Sequence, residues 1–217
     1  MQLHYGGHGS AQHIKASVTI AMESPQTAVI APADTTPSPL VDISDLALER
    51  GAVKLFSGLN LTIMPRSLVW VQGPNGSGKS SLLRAICDFV KPIEGTIQLD
   101  RSEVSYLGHQ SGLVHHSHAR SEALFWTKSA PDFALKRRAG QLSEGQRKRI
   151  AIDRIVAEDR RIWLLDEPYA ALDDEARGYL DSLILSHIKN GGCAVVVSHS
   201  ALPTSLTPTQ LDQLAKR

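Results

Sequence analysis

Short runs of apolar residues, separated by turn residues and amphipathic stretches, fill the chain from Leu40 onward. Alternating or continuous apolar runs of roughly four to eight residues are typical of strands. They predict strands over residues 41–48, 59–64, 67–73, 95–99, 104–108, 161–167 and 193–199. Helical spacing predicts helices over 82–90, ended by Pro92, and over 175–192, ended by paired glycines. Because strands alternate with helices, we expect an α/β fold: a mainly parallel sheet flanked by helices.

The ends of the chain differ in texture from this pattern. Residues 1–39 are rich in Gly, His, Ser, Thr, Ala and Pro and show no sustained period of two or 3.6. We expect them to form a disordered N-terminal tail. The folded domain is predicted over residues 40–206, and residues 207–217 are predicted to be a C-terminal tail.

Composition excludes several classes of protein. The 217 residues are 42% hydrophobic and 21% charged, as in an ordinary soluble globular protein. A net charge of +1 gives no overall attraction to nucleic acid or to an anionic membrane. No apolar run approaches the ~18 residues that a membrane span requires. Cys87 and Cys193 lie far apart in apolar segments, which favours unbridged thiols in a reducing compartment. We therefore expect a cytosolic protein.

A phosphate-binding loop is predicted where the third strand meets the first helix. The stretch GPNGSGKSS matches the pattern G-x-x-x-x-G-K-[ST] between a buried strand and a helix. Such a loop turns consecutive backbone N–H groups toward an anion, and the helix N-terminus adds partial positive charge. Lys79 can reach the β and γ phosphates, and the Ser80 hydroxyl can hold Mg²⁺. The nucleotide-binding residues predicted here are Gly73, Pro74, Asn75, Gly76, Ser77, Gly78, Lys79, Ser80 and Ser81.

Two carboxylates follow the strand predicted over 161–167. Asp166 and Glu167 lie at its carboxyl end, where ligands bind in open α/β sheets. We expect Asp166 to hold the Mg²⁺ shell and Glu167 to polarise a water molecule for attack on the γ phosphate. Adjacent acids after a strand can alternatively cap a helix, but the phosphate loop upstream favours the catalytic interpretation.

The stretch LSEGQ, residues 142–146, opens a further helical run and raises the question of its glycine. Glycine in a first helical turn lowers stability unless something must approach the backbone closely. With this stretch, the chain resembles ATP-binding-cassette (ABC) ATPases from about residue 41 to residue 202. The resemblance implies a P-loop NTPase fold in which an antiparallel β part accompanies the parallel sheet. The motifs of that family occur here in order: the phosphate loop GPNGSGKSS, the glutamine loop GHQ, the signature LSEGQ, the acidic strand end LLDEP, ALD with its aspartate, and VSH with its histidine.

The resemblance implies roles for residues outside the phosphate loop. Ser143, Gly145 and Gln146 are expected to bind the nucleotide of a second copy in a head-to-tail homodimer, with the glycine leaving room for phosphate. Asp173 is expected at the dimer contact, and His199 at the γ phosphate, where it aligns Glu167 and water. Gln110 is expected to touch Mg²⁺ or the attacking water. Arg50 stands where many members stack an aromatic ring on adenine, and a guanidinium plane can also stack on a base. The implied catalytic residues are Glu167, His199, Gln110 and Lys79; the implied Mg²⁺ ligands are Ser80, Gln110 and Asp166; and the cofactors are ATP and Mg²⁺.

Within the family, GHQSGL and the LFSGL run make the chain most similar to ATP-binding subunits of cytochrome c maturation, which are haem exporters. The resemblance implies multispanning membrane subunits as partners and a peripheral position on the cytoplasmic face of the inner membrane. Two alternatives stay open: the ATPase of another ABC transporter, and a soluble ABC-type assembly or scaffold ATPase. The helical subdomain, roughly residues 111–158, looks shorter than in other members, which slightly favours the second.

Two further patterns in the chain resemble ligand-binding motifs, but we expect neither of them to bind a ligand. The histidines of HHSH, His115, His116 and His118, lack a thiolate or carboxylate at ligand spacing and fit a solvated loop better than a metal or haem site. The basic run Arg147 to Arg149 follows the signature, as in other members, and the charge balance of the chain argues against nucleic-acid binding.

Overall fold

A computed structural model describes residues 18–19, 37–109, 112–113, 116–127, 131–134, 136–199, 206 and 209–211. Gln110 and His115 lie outside the described residues, as does most of the two predicted tails. The described residues form nine strands: β1 (Val18–Thr19), β2 (Val41–Arg50), β3 (Val53–Ile63), β4 (Leu68–Val71), β5 (Glu94–Leu99), β6 (Val104–Leu107), β7 (Ile162–Asp166), β8 (Cys193–Val197) and β9 (Thr209–Leu211). They also form four α-helices: α1 (Lys79–Ile86), α2 (Ala119–Trp126), α3 (Glu144–Glu158) and α4 (Asp174–Lys189).

The larger sheet has the strand order β1-β9-β4-β8-β7-β6. Strands β9, β4, β8, β7 and β6 pair in parallel, and only β1 is antiparallel to its neighbour. The predicted parallel sheet is therefore confirmed. The short strands β1 and β9 belong to stretches that the sequence pattern assigns to the tails.

A second sheet is antiparallel and has the order β3-β2-β5. The strand predicted over residues 59–64 begins earlier, at Val53, because β2 and β3 form a hairpin whose tip is the turn at Gly51. A helix-covered parallel sheet with an antiparallel β part is the architecture expected from the sequence.

The core lies on both faces of the parallel sheet. Successive residues of a strand point to opposite faces, so Leu164 packs with α1 and the antiparallel sheet, whereas Trp163 packs with α3 and α4. A third, smaller cluster joins α2 to the start of α3 through Ala123 and Ile150. Cys193 is buried and Cys87 is half-buried, and both thiols are free, as predicted. None of the helices in the described ranges is long and apolar enough to span a bilayer.

Helix α1 ends earlier than the sequence pattern predicts. The expected helix ran over residues 82–90 and was stopped by Pro92, but α1 begins at Lys79 and ends at Ile86. Asp88 adopts a left-handed conformation (φ 64°), and the N–H groups of Phe89 and Val90 return to the Arg84 carbonyl. This turn satisfies the last carbonyl groups of the helix before the proline is reached.

Candidate nucleotide-binding and hydrolysis site

The phosphate loop lies between the end of β4 and the start of α1. Gly76 (φ 80°) and Gly78 (φ 98°) have backbone conformations that favour glycine, and a Cβ at Gly78 would lie 3.0 Å from the Phe56 ring. Lys79 is only 6% exposed, and its Nζ donates hydrogen bonds to the carbonyls of Gly73 (2.7 Å) and Pro74 (3.0 Å). The lysine side chain is thus folded back along the loop, and its contact with phosphates stays a prediction.

Two carboxylates face this lysine. Burial lowers the pKa of Lys79, and the charges of Glu167 and Asp166 oppose that shift. Asp166 is 2% exposed, and its Oδ1 accepts a hydrogen bond of 3.0 Å from the Ser80 hydroxyl. The hydroxyl and carboxylate oxygens therefore meet at one point, and oxygen ligands of this kind suit Mg²⁺. A bound Mg²⁺ would be held here and would neutralise charge on the β and γ phosphates.

Glu167 is fixed by the end of the neighbouring strand β8. Its backbone is left-handed (φ 48°), and its N–H donates to the Val197 carbonyl at 2.8 Å. Its Oε2 accepts from the Ser198 hydroxyl (3.4 Å) and from the His199 N–H (3.3 Å). The His199 Nε2 lies 3.3 Å from Glu167 Oε1. The structure therefore brings Glu167 and His199 together, and the histidine is half exposed beside the cavity. Their roles in catalysis stay predictions.

These groups surround one cavity of about 380 Å³. The site residues predicted from the sequence that line this cavity are Arg50, Asn75, Gly76, Gly78, Lys79, Ser80, Ser81, Asp166, Glu167 and His199. Gly73 and Pro74 act through the carbonyls that hold Lys79, whereas the Ser77 hydroxyl is buried without a hydrogen-bond partner among the described residues. An unpartnered hydroxyl in the loop fits a bound phosphate that supplies its partner. Leu55 and His109 also line the cavity, and sequence reasoning missed both; His109 could have been found from its place beside Gln110 in GHQ.

The signature residues line a second cavity, of about 480 Å³. Ser143, Gly145, Gln146 and Asp173 all face it, together with Arg149. The structure thus divides the predicted binding residues between two cavities, one containing the lysine loop and the other containing the signature and Asp173. Within the described residues of one chain, the two sets of binding residues therefore do not surround the same phosphate site. Such a separation is expected of subunits that form a head-to-tail dimer.

The local structure gives the signature residues roles within the chain itself. Ser143 caps α3: its hydroxyl accepts from the Gln146 N–H, and the Gln146 side chain accepts from the Ser143 N–H, both at 3.1 Å. At Gly145, a Cβ would lie 2.5 Å from the Ala171 carbonyl oxygen. Close packing inside the chain therefore explains this glycine as well, and the expected approach of a phosphate stays a prediction.

Asp173 has a similar structural role at the next helix. Its carboxylate caps α4 by accepting from the Ala176 N–H at 2.8 Å. Its predicted role at a dimer contact stays a prediction, supported by its place in the second cavity. Within the described ranges, no group of three His, Cys, Asp or Glu side chains could hold a metal ion.

Comparison with known proteins agrees with this geometry. The model of the ABC transporter family matches residues 56–170. The cytochrome c biogenesis ATP-binding export protein of Ruegeria pomeroyi is 34% identical over 170 residues, which cover 72% of this chain and 83% of that protein. Its counterpart in Hyphomonas neptunium is 35% identical over 178 residues, covering 76% of this chain and 92% of that protein.

Solved structures show the same fold. A putative ABC transporter ATP-binding protein from Pyrococcus furiosus matches with a TM-score of 0.66 at 20% identity, covering 80% of this chain and 96% of that one. A dimeric ATP-binding cassette bound to ADP and phosphate after hydrolysis matches with a TM-score of 0.64 at 24% identity, covering 74% and 88%. With the loop, the acidic strand end and the signature all in place, the chain belongs to the ABC transporter family, as an ATP-binding subunit of the cytochrome c biogenesis type.

Proposed function

We propose that the chain binds and hydrolyses MgATP to drive haem export, or the release of haem from its chaperone, during cytochrome c biogenesis. The observation that carries the ATPase part is the cavity in which Lys79, the Ser80–Asp166 pair and the Glu167–His199 pair converge. The relatives named for cytochrome c biogenesis and export support the biological process. Haem as the cargo is implied by the family resemblance alone.

The chemistry follows from the positions of these side chains. The loop and Lys79 orient the phosphates. Ser80 and Asp166 would hold Mg²⁺, which would neutralise charge on the phosphates. Glu167 accepts a proton from water as that water attacks the γ phosphate, which leaves as inorganic phosphate with ADP as the other product. His199 keeps the Glu167 carboxylate in place through the contact with Oε1. Gln110, which lies outside the described residues, would supply a further ligand to Mg²⁺ in this proposal.

A second copy completes the site. Its Ser143 and the N-terminus of its α3 approach the γ phosphate, since a helix N-terminus favours an anion. The separation of the two cavities in one chain supports this proposal. ATP binding then closes the head-to-tail homodimer, and hydrolysis reopens it.

We further propose multispanning membrane subunits as partners and a position on the cytoplasmic face of the inner membrane. Helix α2 supports this, because Leu124, Phe125 and Trp126 are exposed, with Phe125 at 76%. Adjacent exposed apolar side chains of this size mark protein-contact surfaces. Such a surface gives a membrane subunit a place to bind.

Replacement of Glu167 by Gln tests the ATPase motor. The variant keeps the shape of the site but removes the general base, so we expect MgATP to bind without turnover and to trap the dimer. Size-exclusion chromatography with light scattering should give a monomer without nucleotide and a dimer with MgATP. As a control, the variant K79M should stay monomeric because it lacks the phosphate-binding ammonium. A monomeric E167Q protein at saturating MgATP would contradict the proposal.

The same E167Q protein identifies the partners when it is used as bait in detergent-solubilised membranes. We expect multispanning proteins of cytochrome c biogenesis to be retained, and mass spectrometry identifies them. Retention of another transporter's membrane subunits would contradict the haem proposal while leaving the ATPase proposal intact.

A further inference from the structure

A lysine outside the predicted site lies buried behind it. Lys148, in the second turn of α3, is 2% exposed and is among the largest fully buried side chains. Burying an ammonium group is costly unless acceptors surround it. The Lys148 Nζ donates a long hydrogen bond, 3.4 Å, to the His109 carbonyl. A contribution to the stability of the fold therefore does not explain why the buried side chain at this position is charged.

The charges that act on Lys148 are those of the hydrolysis site and the signature. Burial lowers its pKa, and three carboxylates oppose the shift: Asp166 first, then Glu144 and Glu167. Asp166 and Glu167 act on Lys79 in the same way from the phosphate loop. The charges of Asp166 and Glu167 thus act on two buried ammonium groups, one belonging to the loop and one to the signature helix.

Three side chains of α3 attach this helix to β6 and the segment after it. Glu158 accepts a hydrogen bond of 2.6 Å from the Ser105 hydroxyl, and Arg154 donates one of 3.2 Å to the Tyr106 carbonyl. Lys148 is the third, and it contacts His109, a residue that lines the nucleotide cavity immediately before Gln110. Lys148 is also the nearest of the three to Ser143, so it links the signature end of the helix to the start of the glutamine loop.

We propose that Lys148 is a positioning residue that couples the signature end of α3 to the chain's own Asp166, Glu167 and His109. When Ser143 engages a nucleotide of the second copy, a displacement of α3 carries the Lys148 ammonium and the His109 carbonyl with it. The electrostatic field at Glu167 and the position of His109 at the nucleotide cavity then change together. Occupancy of one site thereby affects hydrolysis in the other. This inference rests on the proposed function, in which two copies share two nucleotides.

The test compares K148M, which keeps the length of the side chain but removes its charge, with K189M as the matched control. Lys189 is exposed in the last turn of α4, so K189M should behave as wild type in every measurement. For K148M we expect a melting temperature equal to or above that of wild type, because an apolar isostere removes a buried charge. We expect KM for ATP within about twofold of wild type, kcat lowered about tenfold or more, and a Hill coefficient near 1. K148R should recover more of kcat than K148M does.

Two results would overturn the inference. K148M with the kcat and Hill coefficient of wild type would show that the ammonium is not coupled to hydrolysis. Loss of melting temperature, ATP affinity and turnover together would show a purely structural role. In both cases wild type still hydrolyses ATP and E167Q still dimerises, so the proposed function survives. If wild type neither hydrolyses ATP nor dimerises as E167Q, the proposed function fails, and the inference fails with it.

Discussion

Replacement of Gly145 by alanine separates the two explanations of the signature glycine. The added methyl group would lie 2.5 Å from the Ala171 carbonyl oxygen, about 1 Å inside an ordinary carbon–oxygen contact. Forcing such a group into close packing costs roughly 1–3 kcal/mol. Alanine in a helix recovers at most about 0.5–1 kcal/mol through its higher helix propensity. The balance is a loss of about 1 kcal/mol, which corresponds to about 2–4 °C in melting temperature for a domain of this size.

The chain supplies a matched control for this experiment in Gly178. It lies inside α4, and a Cβ there would meet nothing within 4 Å. G178A should therefore gain about 0.5–1 kcal/mol, opposite in sign to G145A. Both are measured by urea unfolding without nucleotide, so that a phosphate contact contributes nothing to the difference.

The outcome decides what the glycine is for. If G145A were stabilised as much as G178A, the Ala171 carbonyl would not constrain the site, and the close-packing explanation would be refuted. A stable G145A protein that failed to form the ATP-dependent dimer would instead assign the glycine to the nucleotide of the second copy.

Two further predictions follow from the cap of α3 and from the thiols. S143A removes the hydroxyl that caps α3 and should lower the free energy of unfolding, measured in urea, by about 1 kcal/mol. S143D keeps a side chain that can cap and should have the stability of wild type. Equal stability of wild type, S143A and S143D would contradict the cap. Burial raises the pKa of the Cys87 and Cys193 thiols from 9.0 to about 12, so at pH 8 the native protein should react with a disulfide reagent about a thousandfold more slowly than a free thiol. Since these pKa values are raised in the folded state, the contribution of the thiols to stability is complete below pH 9.0 and is lost as pH rises toward about 12. If the thiols of the native protein reacted as fast as those of the unfolded protein, their burial would be contradicted.

Local patterns in the sequence predicted the elements that depend on near neighbours. The alternation of strands and helices, the loop around Lys79 and the acids after β7 are each set by a few consecutive residues and by the rule that parallel strands present their carboxyl ends together. The end of α1 was not predicted because the left-handed residue that follows the helix is an aspartate, Asp88, whereas this position is usually occupied by glycine.

Contacts between distant segments could not be inferred in this way. The Ala171 carbonyl that approaches Gly145 is specified by the turn after β7, and no pattern within LSEGQ indicates it. Likewise, Lys148 reads as one residue of a solvated basic run, because its burial depends on how α3 packs beside β6. Side chains that connect two elements become recognisable only when both elements are in place.

The order of strands β4, β8, β7 and β6 fixes the separation of the motifs that follow them. Along the carboxyl edge of these strands, the phosphate loop, His199, Glu167 and His109 stand in a row whose order differs from their order in the chain. Three inter-strand steps of roughly 4.8 Å set the span of this row at about 14 Å. The hydrogen-bonded ladders keep that span constant whatever the length of chain between the motifs. Insertions or deletions in residues 110–142 can therefore reshape the outer surface during evolution without altering the spacing of the reacting groups.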